Sequence, residues 1–588
     1  MSTRLGLRER LELSRLKLEA SSPAVASGVT PEDDTPADDD SIDGEPSENA
    51  LDDDDGDEDA INQDEEEDDD DEEPLQQPTG GRPRTLKLQH SRFPNRTPTI
   101  CFDYPHDLHV ERTYPAGVST SDVPAETNIV FFKCYWERNC VKNAFVRAGF
   151  RRLLKGKKWT GAWIKHLPRT AFKALQAHQK INHFPDPWVI GRKDRLMKTI
   201  SAMKRTFPAA YSFVPEGFLL PGQLDAFMRC LDRESGPSMW IFKPPASACG
   251  RGIKVVHSSQ QLKKKRKWVV QRYLASPYLI HGYKFDLRIY VVVTCFDPLR
   301  IYLFQEGLAR FCTVPYDTEA AHLKNRLMHL TNFSINKNNE RFKASSGPTS
   351  TDGSKWSLTA LLAYLEKDGK DIATLQAKLH AIICKTIIAA EAHITPLTQT
   401  YVKHRHACYE LFGFDLMLDA SLEPWLIEVN VSPSLMGSSP LDKRIKGLLM
   451  SDIFHLVGHE APSAAIGREK KKPPSTSSRK LFDVVHDPKI TQLDAGHIAL
   501  FCDDDWDIVH SMEDEMDRLG HFRRLYPTDT SEDPYAAFFA CARYANRLCF
   551  KWLQTRRRHA LAKKASLPSR TPPMKVASKS LLLKPSAS

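Results

Sequence analysis

The twelve cysteines include no CxxC pair, which removes the usual spacing of a zinc knuckle or a disulfide framework and implies reduced, mostly buried thiols. No uninterrupted apolar run approaches the length that crosses a bilayer, and the first residues lack the short apolar core of a secretory signal. The expectation is therefore an intracellular protein with no membrane partner. The order GxxxxGK(S/T) is missing, as are HRDxxxxN and DFG, so neither a Walker A loop nor a kinase loop acting on a hydroxyl is present. No RRM, KH or zinc-finger signature accompanies the basic residues, and no specific nucleic-acid partner is expected. No repeat of fixed period is found.

Basic residues are missing from one stretch altogether. Between Pro31 and Glu73 there are 26 Asp and Glu and no Lys or Arg; the other 49 acidic residues face 82 basic ones, so a net charge of +7 conceals a body of +33. Such a tract is by composition a solvated, disordered segment, and it is also an internal competitor for an acidic partner of the body, expected to fold back onto a basic groove. Residues 1–90 read as disordered around that tract (31–73), apart from a stretch from Leu5 to Leu18 that could form a short partner-binding helix. Patterned sequence begins near Asn128 with "NIVFFKCYW" and runs to about Leu456, giving a catalytic-sized domain over 128–456. A basic linker (457–480), a helical extension (481–564) and a disordered basic tail (565–588) follow.

Three stretches of the patterned region carry chemistry. "IFKPPASACGRGIKVV" (241–256) runs from strand through a glycine loop into strand, a form that brings backbone N–H groups to phosphate oxygens, with Lys243 and Lys254 adding charge. In "KFDLRIYVVV" (284–293) Phe285, Leu287, Ile289, Val291 and Val293 share one face and Lys284, Asp286, Arg288 and Tyr290 the other; a solvent-facing row of ion pairs would account for the second face without any ligand. An Asp-Pro turn then leads into a second strand that brings Arg310 near its end.

The third stretch is "FGFDLMLDASLEPWLIEVNVSPSL", two apolar strands about a six-residue polar connection, hence a hairpin. Leu426, Glu428 and Asn430 are expected on one face, with Trp425, Ile427, Val429 and Val431 on the other. Pairing Leu418 with Trp425 sets Asp415 opposite Glu428. Directly opposed like charges are destabilising, so two carboxylates and the Asn430 amide on one face call for a cation between them or a shifted pKa, and an all-oxygen set completed by phosphates suits Mg²⁺. Asp415, Glu428 and Asn430 are the candidate metal ligands.

These stretches, with "GRKD" (191–194), "VVQRYLASPYLI", "EGLARF" and "MHLTNFSINK", together resemble the tubulin tyrosine ligase-like family, and the wording of the third stretch is most similar to its type-four polyglutamylase subgroup. The resemblance implies an α+β, ATP-grasp-like fold whose antiparallel sheets sandwich ATP. It also implies ATP-dependent ligation of free glutamate onto glutamate side chains in acidic tubulin or microtubule tails, through an acyl phosphate, by a cytoplasmic, cytoskeletal or ciliary monomer. The alternatives are a catalytically inactive microtubule-binding protein and a ligase of the same family adding glycine or tyrosine. On the family's pattern Lys243, Arg251, Gly252, Lys284 and Asp286 contact ATP, and Gln271, Arg272, Tyr273 and Leu274 form the adenine-side hinge. Lys284, Arg288 and Arg310 act at the reacting groups, and Arg310, Thr331 and Asn332 bind the amino-acid substrate. His329 falls on a motif position, but a lone histidine is more often structural. "RRLLKGKKWTGAW" (151–163), "KKKRKW" (263–268) and the basic segments after 467 are candidate contacts for an acidic tail.

Overall fold

The computed structural model describes residues 85–124, 129–135, 138–234, 236, 238–257, 267–461, 476–530 and 533–565. The stretch from Leu5 to Leu18, the acidic tract, residues 263–266, 467–475 and the tail beyond residue 565 lie outside them. β1 (Thr85–Gln89), β2 (Thr99–Ile100) and β3 (Thr120–Pro124) form an antiparallel sheet in the order β2-β1-β3. Leu86, Ile100 and Phe102 are fully buried there. Strand Thr85–Gln89 lies ahead of Asn128 and within the stretch expected as disordered through residue 90.

The next sheet departs from the antiparallel expectation. β4 (Phe131–Cys134), β5 (Arg151–Arg152), β6 (Gly161–Trp163) and β7 (Lys180–Ile181) are all parallel, in the order β5-β4-β6-β7. A parallel neighbour needs a crossover. Helix α1 (Asn139–Arg147) supplies it, burying Val141, Ala144 and Phe145 at helical spacing. Helix α2 (Lys193–Thr206) leads to a small antiparallel sheet of β8 (Gly217–Leu220), β9 (Met239–Lys243), β10 (Lys254–His257) and β11 (Trp268–Arg272), packed on Phe227, Trp240 and Trp268.

The largest sheet holds seven strands. β12 (Leu279–Ile280), β13 (Tyr283–Phe296), β14 (Leu299–Phe311) and β15 (Lys355–Ser357) enter it first. Helix α3 (Ile372–Tyr401) returns the chain to the hairpin β16 (Glu410–Leu418) and β17 (Pro424–Val431). The order is β15-β14-β13-β16-β17, with β12 on β13. Alternation along β13 is as expected: Phe285, Leu287, Ile289, Val291 and Val293 join the main core with α3, while Tyr290 and Val292 join a second core with helix α4 (Pro440–Val457). Both faces of the sheet are covered.

Among the described residues α3 is the one helix long and apolar enough, by length and composition, to cross a membrane. Its apolar residues, interrupted by Lys385 and Glu391, did not stand out as a run. Leu375, Leu379, Ile383, Ile387 and Ile394 fill the main core instead, and buried Glu391 pairs with Arg543.

The segment after the linker is more than a helical extension. Helix α5 (Asp503–Met516) and helix α6 (Tyr544–Ala565) flank β18 (Phe522–Tyr526), which pairs with β14 in the large sheet. Glu515 of α5 accepts from Tyr302 Oη at 2.6 Å and Thr294 Oγ1 at 3.0 Å, and lies 3.4 Å from the fully buried Arg300. Residues 476–480, expected as linker, already belong to the helix Thr476–His486. The twelve cysteines are all free, and most are buried.

Candidate active site

A row of charges crosses four strands of the large sheet. Register sets Asp286 opposite Arg310, Arg288 opposite Asp415, and Asp415 opposite Glu428. Arg310 Nε donates to Asp286 at 2.9 Å, and its Nη2 lies 2.9 Å from Asp415. Arg288 donates to both Asp415 oxygens, at 2.6 and 3.1 Å. Lys193, at the start of α2, pairs with Glu428 at 3.1 Å. Asp286, Arg288 and Asp415 are buried, so the polar face of β13 is not a solvent-facing row. Burial alone would raise the Asp415 carboxyl; the Arg288 and Arg310 guanidiniums outweigh it and hold the group below the usual carboxylate range.

Asp415 does stand opposite Glu428, by a route that simple alternation misses. Leu418 pairs with Pro424 and Met417 with Trp425, and a bulge between Asp415 and Leu416 restores the register at Glu428. Leu426 consequently joins the main core with Val429 and Val431 instead of sharing a face with Glu428. Glu428 and Asn430 line a cavity of about 340 Å³, and Asn430 Nδ2 donates to Gly413 O at 3.2 Å.

The glycine loop closes one side. Cys249, Gly250 and Gly252 all have positive φ, and a Cβ on Gly250 would stand 2.8 Å from Ile335 Cδ1, so only glycine fits there. Lys193 Nζ donates to Ser247 O at 2.7 Å and Arg326 to Gly250 O at 2.9 Å, anchoring the loop from two directions. Beneath it Lys243 Nζ donates to Gln271 Oε1 at 2.8 Å across the β9–β11 register. Lys284 Nζ donates to Tyr273 Oη at 2.9 Å and His329 O at 3.0 Å. Burial brings both lysines down to about 8. His329 is a structural neighbour of this pair, its Nδ1 2.8 Å from Tyr273 Oη, and burial followed by the Lys284 charge lowers it to about 4.

Two adjoining cavities result. The smaller, about 90 Å³, is lined by Lys243, Gln271, Tyr273, Leu274, Lys284, Asp286, Thr331 and Ile427, among others. The larger has eight Lys or Arg and two carboxylates in its lining. Lys193, Arg310, Asn332 and Glu428 border both.

Not every expected residue converges. Arg272 reaches the smaller cavity's wall, but its guanidinium is taken by Glu216 and Glu234 and stacks 4.6 Å over Trp240. Arg251 lines the larger cavity and not the smaller one, and Gly252 lines neither, serving instead the positive-φ turn. Three cations were not singled out in the sequence: Lys193, visible only inside "GRKD", and Lys355 and Lys446, which meet at Asp442 (2.7 and 2.9 Å), the first from a remote segment and the second one turn along the same helix.

Another polar cluster is structural. His183 Nδ1 lies 2.7 Å from Glu410 Oε1, and Phe184 N donates to Glu410 Oε2 at 2.9 Å. Asn182 Oδ1 accepts from Ile164 N and its Nδ2 faces His183 Nε2 at 2.9 Å, so Nε2 is the acceptor and Nδ1 carries the proton toward Glu410. Burial holds His183 down at about 3.

Comparison with known proteins accords with the geometry. Residues 172–466 match the tubulin-tyrosine ligase family. The chain is 39% identical to tubulin monoglutamylase TTLL4 of Mus musculus over 499 residues, 79% of this chain and 40% of the relative. It is 38% identical to tubulin polyglutamylase TTLL5 of Mus musculus (65% of this chain, 30% of the relative) and 33% identical to tubulin polyglutamylase ttll-4 of Caenorhabditis elegans (67% and 66%). The chain thus spans less than half the length of the two mouse relatives. With a family match across half its residues, laid over the glycine loop, the charged row and the bulged hairpin, the chain belongs to the tubulin-tyrosine ligase family.

Proposed function

We propose that the chain ligates free glutamate onto glutamate side chains of acidic protein tails, those of tubulin first, driven by ATP. The observation that carries this reading is the pair of adjoining cavities, the smaller holding two buried lysines beside the glycine loop, the larger carrying eight cations against two carboxylates, sharing Lys193, Arg310 and Glu428. The relatives named for tubulin glutamylation point to the same chemistry.

In this reading Lys243 and Lys284 bind phosphate oxygens, and Gln271, Tyr273 and Leu274 bound the adenine side. ATP lies between the small sheet that carries the glycine loop and the large sheet. Glu428 and Asn430 face the joint with oxygen donors and would hold Mg²⁺. Asp415, whose oxygens pair with Arg288 and Arg310, would join them only where phosphates drew those guanidiniums away. The ion would supply charge neutralisation on the phosphates. Arg288 and Arg310 hold the acceptor carboxylate against a triphosphate that repels it, and Thr331 and Asn332 border the incoming amino acid. The carboxylate attacks the γ-phosphorus and ADP leaves; the glutamate amine then displaces phosphate from the acyl carbon, losing a proton to solvent. No side-chain nucleophile is needed. Single surface charges contribute on the order of 1 kcal/mol in water, so an acidic tail is gripped by many cations at once and salt weakens it. A cytoskeletal location, ciliary or otherwise, follows from that substrate.

The test is mass spectrometry of tubulin tails after incubation with ATP and isotopically labelled glutamate. Labelled branches on tail glutamates support the reading. ATP-dependent incorporation of glycine or tyrosine alone, or microtubule binding without turnover, overturns it.

A further inference from the structure

We infer that Lys355, Lys446 and the Tyr290 hydroxyl form the pocket that reads the side-chain carboxylate of the incoming amino acid, and so select glutamate over glycine, tyrosine and glutamine. This deepens the ligase reading above and rests on it.

Charge is the first argument. Lys355 and Lys446 share one carboxylate, Asp442, and all three are buried in the wall of the larger cavity. Burial alone would raise the Asp442 carboxyl; the two ammoniums outweigh it and hold the group below the usual carboxylate range. Two cations against one anion leave one buried positive charge in excess. The cavity's other carboxylate, Glu428, is already paired with Lys193. A second carboxylate, brought by a ligand, restores the balance.

Unused hydrogen-bonding capacity is the second. Lys355 Nζ donates to Asp442 Oδ2 at 2.7 Å and Ser438 Oγ at 2.9 Å; Lys446 Nζ donates to Met436 O and lies 2.9 Å from Asp442 Oδ1. Each set occupies two of an ammonium's three N–H groups. Tyr290 is fully buried, lines the same cavity, and its Oη has no hydrogen-bond partner; Ser432 Oγ, also in the lining, has none either. The Tyr290 oxygen is close enough to influence the charges of both Lys446 and Arg288. A carboxylate accepts from every one of these donors. Glutamine would turn an N–H toward them, and glycine would leave them unanswered.

Position is the third. Across β13, β14 and β15 the register runs Asp286, Arg310, Lys355; Asp286 lines only the smaller cavity, Arg310 both, and Lys355 only the larger. Cross-strand partners stand about 5 Å apart. The amine and the side-chain carboxylate carbon of glutamate are four bonds apart, also about 5 Å when extended. With the amine at the acyl carbon beside Arg310, the side-chain carboxylate reaches Lys355, while the α-carboxylate, two bonds from the amine, stays with the guanidiniums. Aspartate falls one methylene short.

The experiment measures incorporation of labelled glutamate and labelled glutamine into tubulin by the full chain with ATP and Mg²⁺, in wild type, Lys446→Met and Tyr290→Phe. Lys446→Met leaves Asp442 its partner Lys355, and Tyr290→Phe removes no existing hydrogen bond, so the second variant should unfold at the wild-type urea midpoint. The expected result is a KM for glutamate raised about tenfold in Tyr290→Phe and about 100-fold in Lys446→Met, with the KM values for ATP and tubulin unchanged and the preference for glutamate over glutamine reduced by the same factors. A wild-type KM for glutamate in folded Tyr290→Phe overturns the inference. So does a rise in the KM for tubulin in place of that for glutamate, which assigns these groups to the acceptor, or an equal loss toward ATP, tubulin and glutamate, which makes them structural. Failure of the wild-type chain to incorporate glutamate at all sinks the ligase reading itself.

Discussion

Arg288 Nε lies 2.6 Å from Asp415 Oδ1, each residue the other's register partner across β13 and β16, and both are buried. Removing the carboxylate leaves the Arg288 guanidinium without its counter-charge and Arg310 with Asp286 alone, a change that costs about 3–5 kcal/mol at buried pairs. Asp415→Asn should therefore lower the urea midpoint and abolish ligation together, as read by denaturant titration and labelled-glutamate incorporation.

Glu428 should behave differently. Its side chain keeps 22% of its surface exposed and faces Lys193, so Glu428→Gln should leave the urea midpoint unchanged and reduce kcat by about 100-fold or more, with a weakened Mg²⁺ dependence. Wild-type activity in that variant would remove Glu428 from the metal set.

Lys243 and Lys284 should give ATP binding an alkaline limit. Both are brought to about 8 by burial, so the charge that attracts phosphate is present below that pH and lost above it. The KM for ATP should rise several-fold between pH 7 and 9, and each Lys→Arg substitution should flatten part of the rise. Their pKa values are depressed on folding, so their contribution to stability rises with pH above about 8. The alkaline loss of binding is therefore not unfolding by these groups.

The His183–Glu410 pair makes Gln a poor substitute for Glu. The chain of hydrogen bonds is directed from Ile164 through Asn182 and His183 to a carboxylate that accepts from two donors. Glutamine must turn one N–H toward a donor. Glu410→Gln should cost about 1–3 kcal/mol despite its similar shape, nearly as much as Glu410→Ala. A urea midpoint equal to wild type would contradict the assigned tautomer.

The family match ends at residue 466, but the fold does not. A chain truncated after Ile466 loses β18 from β14 and leaves the buried Arg300 without Glu515. It should lose cooperative unfolding, and Glu515→Ala in the full chain should cost about 3–5 kcal/mol.

Much of the site was legible because it lies on strands. Period-two alternation reveals which side chains share a face, and so Lys284, Asp286, Arg288 and Glu428 could be grouped from neighbours in sequence. The parallel sheet was missed because two-residue strands such as β5 and β7 carry no period at all. Polar contacts joining remote segments, the ion pair of Lys355 with Asp442 or the hydrogen bond from Tyr302 to Glu515, leave no trace in local pattern. The strand β18 sat within a helical-looking stretch, and its place is set by the edge of β14 that it covers. Arg272, on the wall of the smaller cavity, shows the same dependence. Its distant partners Glu216 and Glu234 decide where its guanidinium goes.

The irregularity at Ile427 has a consequence for what the hairpin can offer a nucleotide. A regular strand gives every second residue to a ligand and turns its neighbour away. One surplus residue suspends that rule, so an aliphatic surface at Ile427 and a carboxylate at Glu428 stand side by side on the same wall. In the proposed function a base and the ion that serves its phosphates would thus be addressed by consecutive positions of one strand.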